Sequence, residues 1–237
     1  MRSFGADFTV YASGGQLHVD GRDAHPSDGR AMLRGDAQIV PGLAEQVVRT
    51  GDGGVEVAAV PDVTGGRTFT FLAMFRAWPA AAYRRVAGRV NGGTEVSLGL
   101  DREGRVRATV GSAKGGYRTT LTGTSVVADG RWHAASIVGL PRVFNGLALE
   151  LNVDDEQERT GSISPGLFGT SPNYTMGAGV PVVVGQAADG TALLQGEVAA
   201  VAGADRAWDN ETTTARLWND LQGVSGAGFV GWGIPLA

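Results

Sequence analysis

Short apolar runs bounded by glycine turns constrain this chain more than any other feature. Phe8–Tyr11 and Gln16–Val19 flank Ser13-Gly14-Gly15, a glycine turn of hairpin type. Val55–Val60 alternates before Pro61, and Thr68–Arg76 is apolar at nearly every position, as in a central strand covered on both faces. A meander follows over Val86–Val90, Thr94–Leu100 and Arg105–Val110, turned by Asn91-Gly92-Gly93 and Asp101–Gly104. Tyr117–Thr122, Trp132–Val138, Ala148–Val153, Val182–Gly185 and Glu197–Ala202 complete the series. The 38 glycines and 9 prolines among 237 residues suit strands joined by turns. One helix is expected, over Asn210–Leu221, with Asp209 as N-cap and Leu217, Trp218 and Leu221 as its apolar stripe. About a dozen strands and one late helix predict an all-β sandwich of two antiparallel sheets.

The order of particular segments resembles the laminin G-like branch of the concanavalin A-like jelly rolls, over roughly residues 47–222. Arg49–Val57 is similar to that family's first hairpin, and Thr68-Phe69-Thr70-Phe71 to its "FT" strand. Asp129-Gly130-Arg131-Trp132-His133 matches the "DGxWH" stretch, the most specific of the set. Leu147–Asp155 resembles the "LxLYVDG" hairpin, with Asn152 and Asp155 departing from it. Gly196–Val201 with Asp205–Asp209 resembles the closing strand and short helix. The resemblance implies a jelly roll over 47–222, an extension over 1–46 and a docking tail over 223–237. In the strand after Asp129-Gly130, Trp132 is expected to point inward and His133 to the opposite side. Phe69, Phe71, Leu98, Trp132, Ile137, Leu149, Leu151 and Val198 are expected in the core, between the two sheets or against them.

Catalysis finds little footing. Glycosidases need paired carboxylates, about 5–5.5 Å apart for retention, and no Glu-x-Asp-x-x-Glu stretch provides them. Glu56, Glu95 and Glu150 are the strand carboxylates to test. The acidic run Asp154–Glu158 reads as a solvated hairpin tip. His18, His25 and His133 share no metal-ligand spacing, with His133 a surface neighbour of Trp132, and neither a cysteine nor a Gly-x-Ser-x-Gly elbow is present. No enzymatic activity and no cofactor are expected. Calcium at the rim is a lesser expectation, through Asp101, Asp189 and the Asp154–Asp155 pair. Arg34-Gly35-Asp36 reads as a β-turn rather than an adhesion signal.

Binding is the expectation that remains. Trp78, Tyr83, Tyr117 and Tyr174 lie in loop-rich stretches, where aromatic platforms meet sugars. Gly161–Gly179 reads as a long irregular segment of the kind that binds or packs on a partner. A net charge of −4 without a clustered basic stretch argues against nucleic acid. No apolar run reaches the roughly 20 residues of a membrane helix, and no signal peptide is apparent at Met1. The expected setting is a virion, with the chain as a bacteriophage minor tail or capsid-decoration protein. It would assemble with other virion subunits and contact a host-surface glycan or protein. A carbohydrate-binding module of a secreted bacterial protein is the alternative. Phe8, Val10, Leu17 and Val19 would form the apolar assembly face of the N-terminal hairpin, with folding back onto the same sandwich as the competing outcome.

Overall fold

The computed structural model describes residues 8–21, 31–43, 46–58, 68–111, 117–142, 146–154, 156–164 and 180–207. In chain order the strands are β1 (Phe8–Ser13), β2 (Gln16–Gly21), β3 (Ala31–Arg34), β4 (Gln38–Pro41), β5 (Gln46–Arg49), β6 (Gly54–Val57), β7 (Phe69–Arg76) and β8 (Arg84–Asn91). They continue as β9 (Thr94–Leu100), β10 (Arg105–Gly111), β11 (Arg118–Val126), β12 (Trp132–Pro141), β13 (Leu147–Val153), β14 (Glu156–Ile163), β15 (Val182–Val184) and β16 (Glu197–Ala204). Two antiparallel sheets result. The nine-stranded sheet runs β14-β13-β12-β7-β16-β1-β2, with β5 also on β16 and β4 on β5. The seven-stranded sheet runs β11-β10-β9-β8-β15-β6-β3.

Alternation decides which side chains face the other sheet. Phe69, Phe71, Ala73 and Phe75 of β7 meet Val96, Leu98 and Leu100 of β9 and Val106, Ala108 and Val110 of β10 in one buried cluster. Ile137, Leu149, Leu151 and Val198 join it, as expected. Trp132 does not. It lies in a second buried cluster with Leu72, Met74, Ala134, Ala200 and Ala202, on the outer face of the nine-stranded sheet. The inward and outward positions of β12 are therefore the reverse of the sequence expectation. Trp132 pairs with Arg76 and His133 with Phe75, so His133 takes the inter-sheet side.

Two further expectations are corrected. Arg49–Val57 is not a hairpin, because β5 belongs to one sheet and β6 to the other. Buried Thr50 ends β5 by hydrogen bonding Gly196 in both directions, its N–H to the Gly196 carbonyl at 2.8 Å and its Oγ1 accepting from the Gly196 N–H at 3.3 Å. At Gly53 a Cβ would fall 1.9 Å from the Arg34 carbonyl oxygen, so only glycine lets the chain cross between sheets there. The N-terminal hairpin is the second correction. β1 pairs with β16 and β2, and Phe8, Val10 and Val19 are buried in the inter-sheet core, with Leu17 packed against it. Its apolar face is covered by its own sandwich rather than offered to a neighbour, since an isolated two-stranded hairpin has no other way to bury such a face. Arg34-Gly35-Asp36 forms the expected turn, with Gly35 at φ +60° and the Ala37 N–H on the Arg34 carbonyl at 3.3 Å. Glu156–Glu158, expected in a hairpin tip, instead opens β14, and the turn residue is Asp154 at φ +47°. The expected helix, the 223–237 tail, Asp155, His25 and Tyr174 lie outside the described residues.

Candidate functional site

One end of the sandwich gathers the loop between β7 and β8, the Asp101–Gly104 turn and the segment leading into β12. Pro79, Ala80 and Ala81 face Arg102, Glu103, Gly104, Val126 and Ala128 across a groove of about 460 Å³. Trp78 belongs to the same loop and is 46% exposed, and Val126 of the groove wall is exposed too.

Its position is held from three sides. The Arg84 guanidinium donates from Nη1 to the Trp78 carbonyl at 2.6 Å, and the Gly130 N–H donates to the Ala77 carbonyl at 2.9 Å. The Arg76 guanidinium sits 5.4 Å from the Trp78 ring centroid and 5.3 Å from that of Trp132, within cation–π range of both. Arg76 is held in turn by Glu197, whose side chain is 1% exposed. Glu197 Oε2 accepts from Arg76 Nε at 3.1 Å and from its Nη2, while Oε1 accepts from Arg49 Nε and Nη2 at 3.2 and 2.9 Å. Gly130, at φ +83°, passes under the indole where a Cβ would stand 3.1 Å from Trp78 Nε1.

Around the corner, the outer face of the seven-stranded sheet carries a polar layer on a floor of small residues. Glu95, Ser97 and Gly99 of β9 register with Gly111, Thr109 and Arg107 of β10, which register with Arg118, Thr120 and Thr122 of β11. Buried Glu95 accepts from Ser97 Oγ at 2.7 Å and from Arg118 Nη2 at 2.8 Å, and its Oε1 lies 2.9 Å from Arg85 Nη1. Tyr83 is not an open platform. Its hydroxyl lies over Gly99, and Arg85 and Arg107 stand 5.8 and 5.3 Å from its ring centroid. Burial raises its pKa, with Glu95 adding to the rise and nearby arginines opposing it, so Tyr83 stays a neutral phenol. Tyr117 packs partly buried against the core, at the end of β10 and β11 remote from the groove. Trp78 and Tyr83 thus share one loop, and Tyr117 stands apart.

No family model matches the sequence, and no curated protein matches it. Solved structures do share the fold. The binding domain of botulinum neurotoxin DC in complex with SialylT superposes with a TM-score of 0.65 at 10% identity, over 92% of this chain and 52% of that one. The same domain with rat synaptotagmin II gives 0.60 at 12% identity, over 92% and 52%. A botulinum neurotoxin type C structure, concerned with cell entry dependent upon interaction with two ganglioside molecules, gives 0.62 at 12%, over 92% and 52%. The architecture shared with them is the all-β sandwich of two antiparallel sheets. This chain spans about half the length of the toxin domains it matches.

The carboxylates raised by the sequence do not converge. Glu56 and Glu95 share a sheet, yet β8 and β15 lie between their strands, which sets the two strands about 14 Å apart at the usual strand spacing. Glu150 is on the other sheet, and Glu56 pairs with Arg34 at 3.2 Å. Asp101, Asp154 and Asp189 are each used within their own locality. Asp101 accepts from the N–H groups of Glu103 and Arg105, and Asp189 from Thr191. Asp154 binds the Ala134 N–H at 2.8 Å and His133 Nδ1. Among the described residues no three such groups cluster as metal ligands do.

His133 is not the surface neighbour expected. It is buried, with Nδ1 on Asp154 and Nε2 on Asp129 at 3.0 Å. Burial pushes its pKa down, but the two carboxylates outweigh burial and the net shift is upward. Sequence reading flagged Trp78 but missed Arg76, Gly130 and Glu197 beneath it. It also missed the Arg85, Arg107 and Arg118 layer, for which the polar-apolar alternation of β9 and β10 was the available signal.

Proposed function

We propose that this protein is a non-enzymatic recognition module whose rim around Trp78 meets a glycan at the surface of another cell or particle. The observation that carries the reading is the support of Trp78. A half-exposed indole is anchored through Arg76 to a buried carboxylate that two arginines share. Such anchoring lowers the ordering cost of binding, which is how a rigid aromatic gains affinity. The shared fold with toxin binding domains solved with SialylT and with synaptotagmin II supports a binding role on a glycan or protein. The non-enzymatic part of the reading draws its support from the strand carboxylates, since Glu56 and Glu95 lie on strands with two others between them, each is paired with arginine, and Glu150 is on the other sheet.

The narrower setting is display on a bacteriophage particle, as a minor tail or capsid-decoration protein with a laminin G-like domain. The sequence resemblance bears on the domain type alone, and proteomics of the purified source particle tests the setting.

An oligosaccharide array probed with wild-type protein and Trp78→Ala tests the recognition role. Wild type is expected to bind a defined subset of glycans, and Trp78→Ala, folded to the same melting temperature, to lose them. Binding that is unaltered in the variant would remove Trp78 from the account.

A further inference from the structure

We propose that Arg107 is a carboxylate-recognition point, so that the glycan bound by this module carries an acidic sugar; the inference rests on the glycan-binding reading above. β9 and β10 turn their apolar residues into the core, which leaves Glu95, Ser97, Arg107 and Thr109 on the outer face, with Arg107 nearest the Asp101–Gly104 turn and Glu95 at the opposite end of β9. On that face the arginines are not equivalent. Arg85 and Arg118 share Glu95, at 2.9 and 2.8 Å. Arg105, at the start of β10, is bound by Asp101 and Glu103. Among the described residues Arg107 has no carboxylate, and its contact is the ring of Tyr83 at 5.3 Å.

That contact prepares the cation without neutralising it. Tyr83 is kept a neutral phenol, and Gly99 leaves room for its hydroxyl, since a Cβ there would stand 2.6 Å away. A guanidinium held by an aromatic face keeps its fork of N–H donors for a planar, bidentate acceptor such as a carboxylate. Two positions along the strand, about 7 Å away, Thr109 Oγ1 meets Thr120 Oγ1 at 3.2 Å, and Thr120 is exposed. One cation beside hydroxyls is the pattern for a sugar acid. A polyanion would call for a row of uncompensated cations. This face does not supply one, since among the described residues Arg107 alone of these arginines lacks a carboxylate, on a chain of net charge −4.

Tyr83 is a positioning residue in this arrangement, and Arg107 is the group that touches ligand. The test is isothermal titration of the full chain with sialyllactose and trigalacturonic acid against lactose and maltotriose. Wild type is expected to prefer the acidic sugars by about ten-fold or more, the worth of one charge-assisted contact. Arg107→Gln should erase that preference and leave the neutral-sugar affinity in place. Arg107→Lys should restore it in part, and Tyr83→Leu should weaken it with Arg107 intact. If Arg107→Gln fails to fold, the Lys and Tyr83→Leu variants carry the test. Equal affinity for acidic and neutral sugars would overturn the inference and leave the recognition role standing. A preference that survives in Arg107→Gln, or in Tyr83→Leu and Arg107→Lys unchanged, would also overturn it. Binding to none of the four sugars, alongside a blank array, would remove the recognition role and this inference together.

Discussion

Replacing Glu197 by Gln should weaken both the fold and the binding surface. Glu197 is 1% exposed on its side chain, and the arms it holds differ in burial, Arg76 at 28% and Arg49 at 59%. A hydrogen bond to a charged group is worth about 1.5–3 kcal/mol when sheltered, whereas exposed pairs return about 0–1 kcal/mol. Most of the loss therefore falls on the Arg76 arm, with solvent screening discounting the other. An amide keeps the shape and some of the hydrogen bonds, so the total is about 2–4 kcal/mol rather than the full cost of orphaning a buried charge. For a chain of this size that lowers the melting temperature by about 4–8 °C. Arg49→Gln, the control, should cost no more than about 1 kcal/mol. Calorimetric melting of the three proteins reads these values, and array binding by Glu197→Gln should fall because Arg76 no longer fixes Trp78. An unchanged melting temperature in Glu197→Gln, or a larger fall in Arg49→Gln, would refute the reasoning.

Trp132→Ala should cost about 3–5 kcal/mol, because it empties the apolar cluster outside the nine-stranded sheet and strips Arg76 of a second ring; denaturant titration measures it. Gly130→Ala should cost about 1–3 kcal/mol for a side chain at positive φ, and it should displace Trp78, read as lost array binding in a protein that still folds. Stability should also depend on His133. Its folded pKa is raised above the ordinary 6.5, so its contribution is complete below that value and drains away as pH rises through the folded pKa. Asp129 is shifted the opposite way, downward, where hydrogen bonds from His133 and Arg131 overcome its burial. Its contribution is present above the ordinary carboxylate range and is lost in acid. Melting temperature followed from pH 6 to pH 9 should fall in wild type and stay level in His133→Gln, and parallel curves would contradict the assignment.

Strands with an apolar signature were legible in the sequence. Thr68–Arg76 reads as a buried central strand because seven of the eight residues in β7 face protein on one side or the other. β14 was not legible. Glu156–Ile163 is nearly all polar, and it is a strand because β13 offers a free edge and its outward residues remain in water. The short β3, β4 and β5 lacked length for a periodic signal, and the two sheets share them out through turns that only close glycine approaches permit. The face taken by Trp132 was misread because both faces of β12 are buried, so hydrophobicity could not distinguish them. Trp78 was visible as an aromatic in a loop. Its support was not, because Glu197 lies 121 residues beyond Arg76 and they meet only when β16 pairs with β7.

The account stands on Trp78 being the surface that a ligand touches. Among the five tryptophans, the indole N–H resonances of Trp78 and Trp132 can be assigned by substitution in ¹⁵N-labelled protein and followed as the strongest array glycan is added. The account predicts a saturable shift at Trp78, with a midpoint equal to the calorimetric dissociation constant, and little change at buried Trp132. Saturable glycan binding that leaves the Trp78 resonance in place would contradict it.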